Sequence, residues 1–252
     1  MPQPSYPFAS ARVKCKETTL LNREKLVRLA NAATPSEAMK LLADFGYPGA
    51  DEIEPVDFEK CITKELNEAY DFVMEVTPDE RATNLFFLKF DYRNLKAILK
   101  NEAKGTGAAQ KQLVNRGTLD PTMLYEAVKE KKYQDLPPEM RQALEELDRH
   151  FAVKKDVSLI GLTLDRAYAQ QVMRELEGEK EEFVKAFFEA SFDFDNVSAL
   201  IRLKRAGAPK ELFSRAMLPG GSISLSSLKK AIEMNIEDML LYLSKGKYQR
   251  EL

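Results

Sequence analysis

The chain has 252 residues, of which 44% are hydrophobic and 31% are charged, so it can build hydrophobic cores of ordinary size beneath a charged, solvent-exposed surface. Its 38 Lys and Arg side chains are balanced by 40 Asp and Glu, and a formal net charge of -2 argues against nucleic acid as the main partner. No apolar run reaches the ~18 residues that would predict a membrane-spanning helix.

The first residues do not have the pattern of a secretion signal. Pro2, Pro4 and Pro7 interrupt residues 1–13, where a signal peptide needs a basic start and an apolar run. The two cysteines, Cys15 and Cys61, have no C-x-x-C spacing. We therefore interpret them as reduced thiols and predict a cytoplasmic protein.

Helix signals follow along the whole chain. Residues 34–37 (T-P-S-E) and 77–80 (T-P-D-E) both have the form of a capping box with proline at the first helical position. Asp120 followed by Pro121 predicts a further helix start. Apolar residues recur at spacings of three and four, and alternation typical of strands is nearly absent. The sequence predicts an all-α protein.

An internal repeat gives the organisation of these helices. The pattern F-D-aromatic-x-N-aliphatic-x-A-aliphatic-aliphatic-basic occupies residues 90–100 and returns 102 residues later (192 − 90) at residues 192–202. A match at this many positions predicts two copies of one structural unit.

We expect the repeated motif to be structural. Its two copies are Phe90, Asp91 and Asn94, and Phe192, Asp193 and Asn196. The aromatic residue is expected to anchor a helix start in the core, and the aspartate to cap free N–H groups at that start. The asparagine is expected to tie the helix to a neighbouring loop.

A second pattern supports three repeats. Residues 20–23, 113–119 and 218–223 each precede a predicted helix, and the third copy includes Gly220 and Gly221, which permit a tight turn. A third F-D-x-x-N motif would fall beyond Leu252. We therefore predict an N-terminal helix with repeat one over 1–112, repeat two over 113–217 and the first half of repeat three over 218–252.

No motif in the sequence strongly predicts a catalytic, metal or nucleotide site. The glycine-containing stretch 104–111 has the wrong spacing for a phosphate loop and no strand before it. His150 is the single histidine and has no neighbouring ligands, and Asp193 with Asp195 offers too few oxygens for Ca²⁺. Cys15 lies between lysines but lacks a base. The prediction is no catalytic residue, no metal and no cofactor.

Basic clusters are the candidate partner contacts. They are Arg12 and Lys14 near the start, Arg93 in the first motif, and Arg202, Lys204 and Arg205 after the second. Such clusters are often solvated helix faces. The sharper hypothesis is that they contact carboxylates of other proteins and fix orientation.

The order of these motifs resembles the C-subunit family of V/A-type ATPases, which includes the eukaryotic d subunit. The resemblance is carried by residues 9–14, 20–24, 41–47, 165–168, 203–207 and 218–221 together with both F-D-x-x-N segments. It implies three helical domains around a pseudo-threefold axis, forming a socket in which the third repeat is incomplete here.

The resemblance also implies a function. Members of this family are non-catalytic rotor subunits on the cytoplasmic face of the membrane, between the proteolipid (c/K) ring and the central-stalk subunits D and F. Two alternatives stay open from the residues. The first is a helical-repeat adaptor, although such proteins usually repeat every 34 to 47 residues and this chain repeats after 102. The second is a helical hydrolase or transferase, which would need a convergent catalytic cluster.

Overall fold

A computed structural model describes residues 5–105, 107, 109–153, 156–178, 182–245 and 248. The chain divides into two compact units, Met1–Thr83 and Asn84–Leu252. Within the described residues the regular structure is entirely helical, which confirms the all-α prediction. The three-repeat boundaries and the pseudo-threefold socket stay predictions.

The first unit is built from four helices and two short 3₁₀ segments. The helices are α1 (Tyr6–Glu17), α2 (Arg23–Ala30), α3 (Pro35–Asp44) and α4 (Phe58–Val76), and the 3₁₀ segments are Ala50–Glu52 and Pro55–Asp57. Its core is small, with Met39, Ala50 and Cys61 buried together. Cys61 is thus a core residue, whereas Cys15 is exposed, and both are free thiols.

Side-chain caps explain where these helices begin. Asn22 accepts a hydrogen bond from Lys25 N (2.9 Å) at the start of α2. Thr34 accepts one from Glu37 N (3.1 Å), and Glu37 Oε2 accepts one from Ala33 N (2.8 Å), which confirms the predicted start of α3.

The cap predicted at residues 77–80 is placed differently. Thr77 ends α4, and its Oγ1 accepts a hydrogen bond from Asp79 N (3.4 Å), the residue before the next helix. Asp79 takes the capping role instead, since its Oδ1 accepts from Ala82 N (3.0 Å). The prediction of a helix start here is confirmed, but the capping residue lies two positions later than Thr77, because α5 (Glu80–Lys104) begins directly after Asp79.

The second unit contains the other described helices, among them the two longest, α5 and α9. They are α5 (Glu80–Lys104, which begins in the first unit), α6 (Pro121–Glu130), α7 (Pro138–Val153), α8 (Ser158–Glu175), α9 (Glu182–Arg205), α10 (Lys210–Ala216), α11 (Leu225–Ile232) and α12 (Ile236–Ser244), with a 3₁₀ segment at Ala109–Gln112. Asp120 caps α6 through Thr122 N (2.6 Å), as predicted.

Helix α8 contacts both long helices of the second unit. The Tyr168 ring centroid lies 5.6 Å from that of Tyr92 on α5 and 6.0 Å from that of Phe192 on α9. Tyr92 also donates a hydrogen bond from its hydroxyl to Gln171 Oε1 (2.8 Å). These buried contacts tie α5, α8 and α9 into one packed body, because aromatic and hydrogen-bonded pairs restrict sliding.

A second core lies at the end of the unit. Val197, Leu200, Phe213, Met217, Leu228, Ala231, Met239 and Leu243 are buried together and join α9, α11 and α12 to α10 and the loop after it. In the part of the chain that the structure describes, no helix is both long and apolar enough to cross a membrane.

Candidate functional site

Helix α5 holds the loop that precedes α6 through two buried polar side chains. Asp91 Oδ2 accepts from Thr118 N (2.9 Å) and Thr118 Oγ1 (2.7 Å), and Oδ1 accepts from Leu119 N (3.2 Å). Asn94 donates to Val114 O (2.8 Å) and accepts from Val114 N (3.0 Å). We call these five residues the first loop anchor.

Helix α9 repeats this arrangement with the loop that precedes α11. Asp193 accepts from Ser222 N (2.9 Å), Ser222 Oγ (2.6 Å) and Ile223 N (2.9 Å). Asn196 donates to Leu218 O (3.0 Å) and accepts from Leu218 N (2.7 Å). We call these residues the second loop anchor. The prediction that both asparagines tie a helix to a loop is confirmed.

The expected position of the motif was wrong. Phe90 and Phe192 are buried, but they lie inside α5 and α9 and anchor no helix start. Asp91 and Asp193 therefore cannot cap their own helices. They satisfy N–H groups of the following loop, because a mid-helix carboxylate points sideways toward its neighbours.

Glycine is required where the loops approach these carboxylates. A Cβ atom added to Gly117 would lie 1.8 Å from Asp91 Oδ1, and one added to Gly221 would lie 2.1 Å from Asp193 Oδ1. Gly220 has φ 91°, which L residues rarely adopt. The chain bends over residues 219–223, Gly220 supplies the left-handed backbone conformation there, and Gly221 leaves room for Asp193.

Burial raises the pKa of Asp91 in the first anchor and that of Tyr248 beside the second. Desolvation raises the pKa of Asp91 above its usual range, and hydrogen bonds from Thr118 and Leu119 oppose that rise. The second anchor has an additional donor, since Tyr248 OH donates to Asp193 Oδ2 (2.7 Å). Burial first, and then this hydrogen bond, raise the pKa of Tyr248 to about 12.

The basic residues near the start of the chain lie on α1 of the first unit. Arg12 forms an ion pair with Glu75 (3.2 Å) and stacks over the rings of Phe8 and Phe72. Lys14 pairs with Glu17 (2.7 Å) one turn along the same helix. Both groups remain on the surface, so the structure leaves their predicted contact with partners open.

The remaining basic candidates belong to the second unit. Arg93 lies exposed on α5, and Arg202 and Arg205 lie exposed at the C-terminal end of α9. The pKa of Asp195 is raised, first by desolvation and then by the charge of Asp165. The charge of Arg202 opposes that rise. Contact of the three arginines with a partner stays a prediction.

Lys204 has a role inside the chain. Its ammonium group donates to Ile232 O and Met234 O at the C-terminal end of α11. A lysine in this position satisfies carbonyl groups that a helix end leaves unpaired. Two of the three N–H donors of the Lys204 ammonium are thus used inside the chain, so the arginines are the stronger candidates.

Comparison with known proteins identifies the family of the chain. The sequence matches the family described as ATP synthase (C/AC39) subunit over residues 9–252. The chain belongs to this family. That membership agrees with the resemblance seen in the motifs.

Relatives that are named as C subunits of A-type ATP synthases agree with this assignment. The chain is 27% identical to the protein of Thermococcus gammatolerans, over 98% of this chain and 69% of that protein. It is 24% identical to the protein of Methanocaldococcus jannaschii, over 83% of this chain and 57% of that protein. The chain thus spans little more than half of the length of that second relative.

The structure places no metal-ligand cluster among the residues it describes. His150 lies on α7 with its Nε2 3.8 Å from Glu146. The stretch 104–111 is described except for residues 106 and 108, and its second part forms the 3₁₀ segment Ala109–Gln112. The predictions of no catalytic residue, no metal and no cofactor stay predictions.

Sequence reasoning missed the contacts between α8 and α5. The Tyr92–Gln171 hydrogen bond and the Lys96–Asp165 ion pair join residues separated by more than 60 positions. No local pattern links them. Gly117 could have been found, because it precedes Thr118 as Gly221 precedes Ser222 in the aligned repeats.

Proposed function

We propose that this protein is a non-catalytic central-rotor subunit of a V/A-type rotary ATPase, coupling the central stalk to the proteolipid ring at the cytoplasmic face of the membrane. The observation that carries the proposal is the family match over residues 9–252, nearly the whole chain. The proposed partners are the proteolipid (c/K) ring and the central-stalk subunits D and F.

The loop anchors support a mechanical role. Each fixes a loop to the middle of a long helix by five or more hydrogen bonds, and the Asp91 and Asp193 carboxylates are buried. Hydrogen bonds to charged groups in a low-dielectric interior are strong. A protein that passes torque between two partners must deform little under load, and helices that are anchored to their loops are stiff in this way.

The exposed arginines support contact with acidic partners. Arg202 and Arg205 lie one turn apart at the end of α9, and Arg93 lies on α5. Charged residues at the rim of an interface mainly steer association and fix orientation, with a smaller effect on affinity. We propose that they set the position of this protein on its partners.

The test is co-purification of the full chain with a detergent-solubilised proteolipid ring and, separately, with purified central-stalk subunits. The corresponding protein of the rotary ATPase that supplies the ring and the stalk serves as positive control. We expect binding to both partners. Binding to neither, while the positive control binds both, would contradict the proposal. Binding to unrelated helical proteins instead would favour the general adaptor.

A further inference from the structure

A cavity of about 310 Å³ lies in the second unit and is lined by residues of α7, α8 and α10. Helices α7 and α8 pack against each other, and α10 packs against α8. Ligand pockets usually enclose about 300 to 1,000 Å³, so this cavity has room for a small molecule. All of its lining residues belong to the second compact unit.

Two arginines from different helices line the cavity. Arg166 lies on α8 and Arg215 on α10, and both are exposed to solvent. Within the described part of the chain, neither guanidinium takes part in an ion pair or a hydrogen bond. Two positive charges at one cavity repel each other, and an anion bound between them would relieve that repulsion.

Neutral hydrogen-bond donors lie beside the arginines. Gln142 on α7 and Thr163 and Gln170 on α8 line the cavity, and their side chains bond to none of the residues that the structure describes. A side-chain amide has two N–H donors and a hydroxyl has one. Two buried alanines, Ala143 and Ala167, also line the cavity. The lining therefore combines several available donors with small apolar side chains.

The acidic residues of the cavity leave its arginines in excess. The carboxylate of Glu139 is used by Arg174, whose Nε and Nη2 donate to its two oxygens at 2.7 and 3.2 Å. The other acid of the lining is Glu146, whose Oε1 lies 3.8 Å from His150 Nε2. Among the described lining residues, the two arginines are thus opposed by one carboxylate that no arginine or lysine compensates. This balance favours an anionic ligand.

We propose that the cavity binds a small phosphate-type anion, which Arg166 and Arg215 hold together. A guanidinium binds a phosphate group through two parallel N–H···O bonds. Guanidiniums that come from two helices need an acceptor with oxygens in several directions, which a tetrahedral phosphate has and a planar carboxylate lacks. A phosphate group with one substituent carries about −1.5 to −2 charges at pH 7, which matches two arginines.

Isothermal titration calorimetry of the full chain tests the proposal, with pyrophosphate and inorganic phosphate as probes at a fixed ionic strength. Succinate is the comparison, since it has two negative charges but no tetrahedral arrangement of oxygens. We expect saturable binding of pyrophosphate at one site per chain and competition by inorganic phosphate. Succinate should bind about tenfold or more weakly than pyrophosphate.

Neutral variants show whether the arginines hold the anion. Arg166→Gln and Arg215→Gln should each weaken pyrophosphate binding about tenfold or more, because each removes charge-assisted hydrogen bonds. Arg166→Lys should keep only part of the affinity, since lysine retains the charge but not the two parallel donors. Arg149→Gln is the control, because Arg149 is exposed on α7 and does not line the cavity.

An acidic residue of the lining provides a variant with the opposite effect. Glu146→Gln should tighten pyrophosphate binding about twofold or more, because it removes a negative charge from the cavity. Glu145→Gln, at an exposed position of α7 outside the cavity, should leave the affinity unchanged. A general loss of folding cannot produce a gain of affinity.

Three results would overturn the proposal. The first is that pyrophosphate does not bind the folded wild-type chain saturably. The second is that Arg149→Gln lowers the affinity as much as Arg166→Gln and Arg215→Gln do, which would show general attraction by positive charge. The third is that succinate binds as tightly as pyrophosphate, which would show a site for carboxylates. These measurements use neither ring nor stalk, so failure of the coupling function is measured separately.

Discussion

At the scale of single residues, each loop anchor depends on a glycine facing a carboxylate. Gly117 and Gly221 leave space that Asp91 and Asp193 fill, and the aspartates then satisfy the N–H groups of the next two loop residues. In the folded structure, both copies of the motif therefore pair a glycine of the loop with a buried aspartate of the helix.

We expect Gly117→Ala and Gly221→Ala each to lower the free energy of unfolding by about 1–3 kcal/mol, because the methyl group would displace the carboxylate. Gly161→Ala is the control, since a Cβ there has open space within helix α8 and should stabilise by up to about 1 kcal/mol. Urea unfolding measures all three. Equal effects at the three glycines would contradict the close approach.

The raised pKa of Asp91 gives stability a defined dependence on pH. The folded state binds this proton more tightly than the unfolded state, whose ordinary pKa is 3.8. Stability contributed by the Asp91 proton is thus present at low pH and is lost as pH rises through the folded-state pKa. We expect wild type to gain stability relative to Asp91→Asn as pH falls from 7 toward 4, in urea titrations at each pH.

Asp120 provides the control of opposite sign. Hydrogen bonds from Thr122 lower the pKa of this capping residue. Its contribution is present above the ordinary pKa and is lost as pH falls toward the lower folded-state value. Wild type should therefore lose stability relative to Asp120→Asn on acidification. The same trend for both variants would mean that general acid unfolding, and not the individual carboxyl groups, sets the profile.

At the scale of elements, α8 is the helix that joins the two long motif helices. Its Tyr168 ring contacts α5 and α9, and its Gln171 is buried against Tyr92. Neither contact follows from the helical pattern of α8, which predicts an apolar face but no particular neighbour.

A double-mutant cycle tests this junction. We expect Tyr92→Phe to cost about 1–2 kcal/mol, because Gln171 loses its donor in a buried site. Adding Gln171→Leu should recover part of the loss, since both polar groups are then replaced by apolar ones. Thermal unfolding of wild type, both single variants and the double variant gives the coupling energy. Additive effects would contradict a direct bond.

At the scale of the whole molecule, the proposed function depends on which parts of the surface contact other subunits. The basic candidates belong to both compact units, with Arg12 and Lys14 on α1 and the other four on α5 and α9. Within the second unit, Arg202 and Arg205 are exposed while Lys204 is used internally.

Reversal of Arg202 or of Arg205 to Glu, one at a time, should slow association with the proposed partners, and raising the salt concentration should reduce the difference from wild type. Lys129→Glu is the control, because Lys129 is exposed on α6 outside these clusters. Surface plasmon resonance at two salt concentrations measures the association rates of the variants and of wild type. An equal effect of Lys129→Glu would show that only net charge matters.

The sequence by itself determined the helical class, several helix starts, the repeat and the family, because these depend on local spacing and on side chains adjacent in the chain. Residues 34–37 and Asp120 are examples, and the asparagines of the motif were also interpreted correctly. Only the tertiary structure decided that the motif lies inside α5 and α9, that Lys204 caps another helix, and that Arg166 and Arg215 line one cavity. Those outcomes depend on which helix packs against which, and long-range packing leaves no trace in the local pattern of a single sequence.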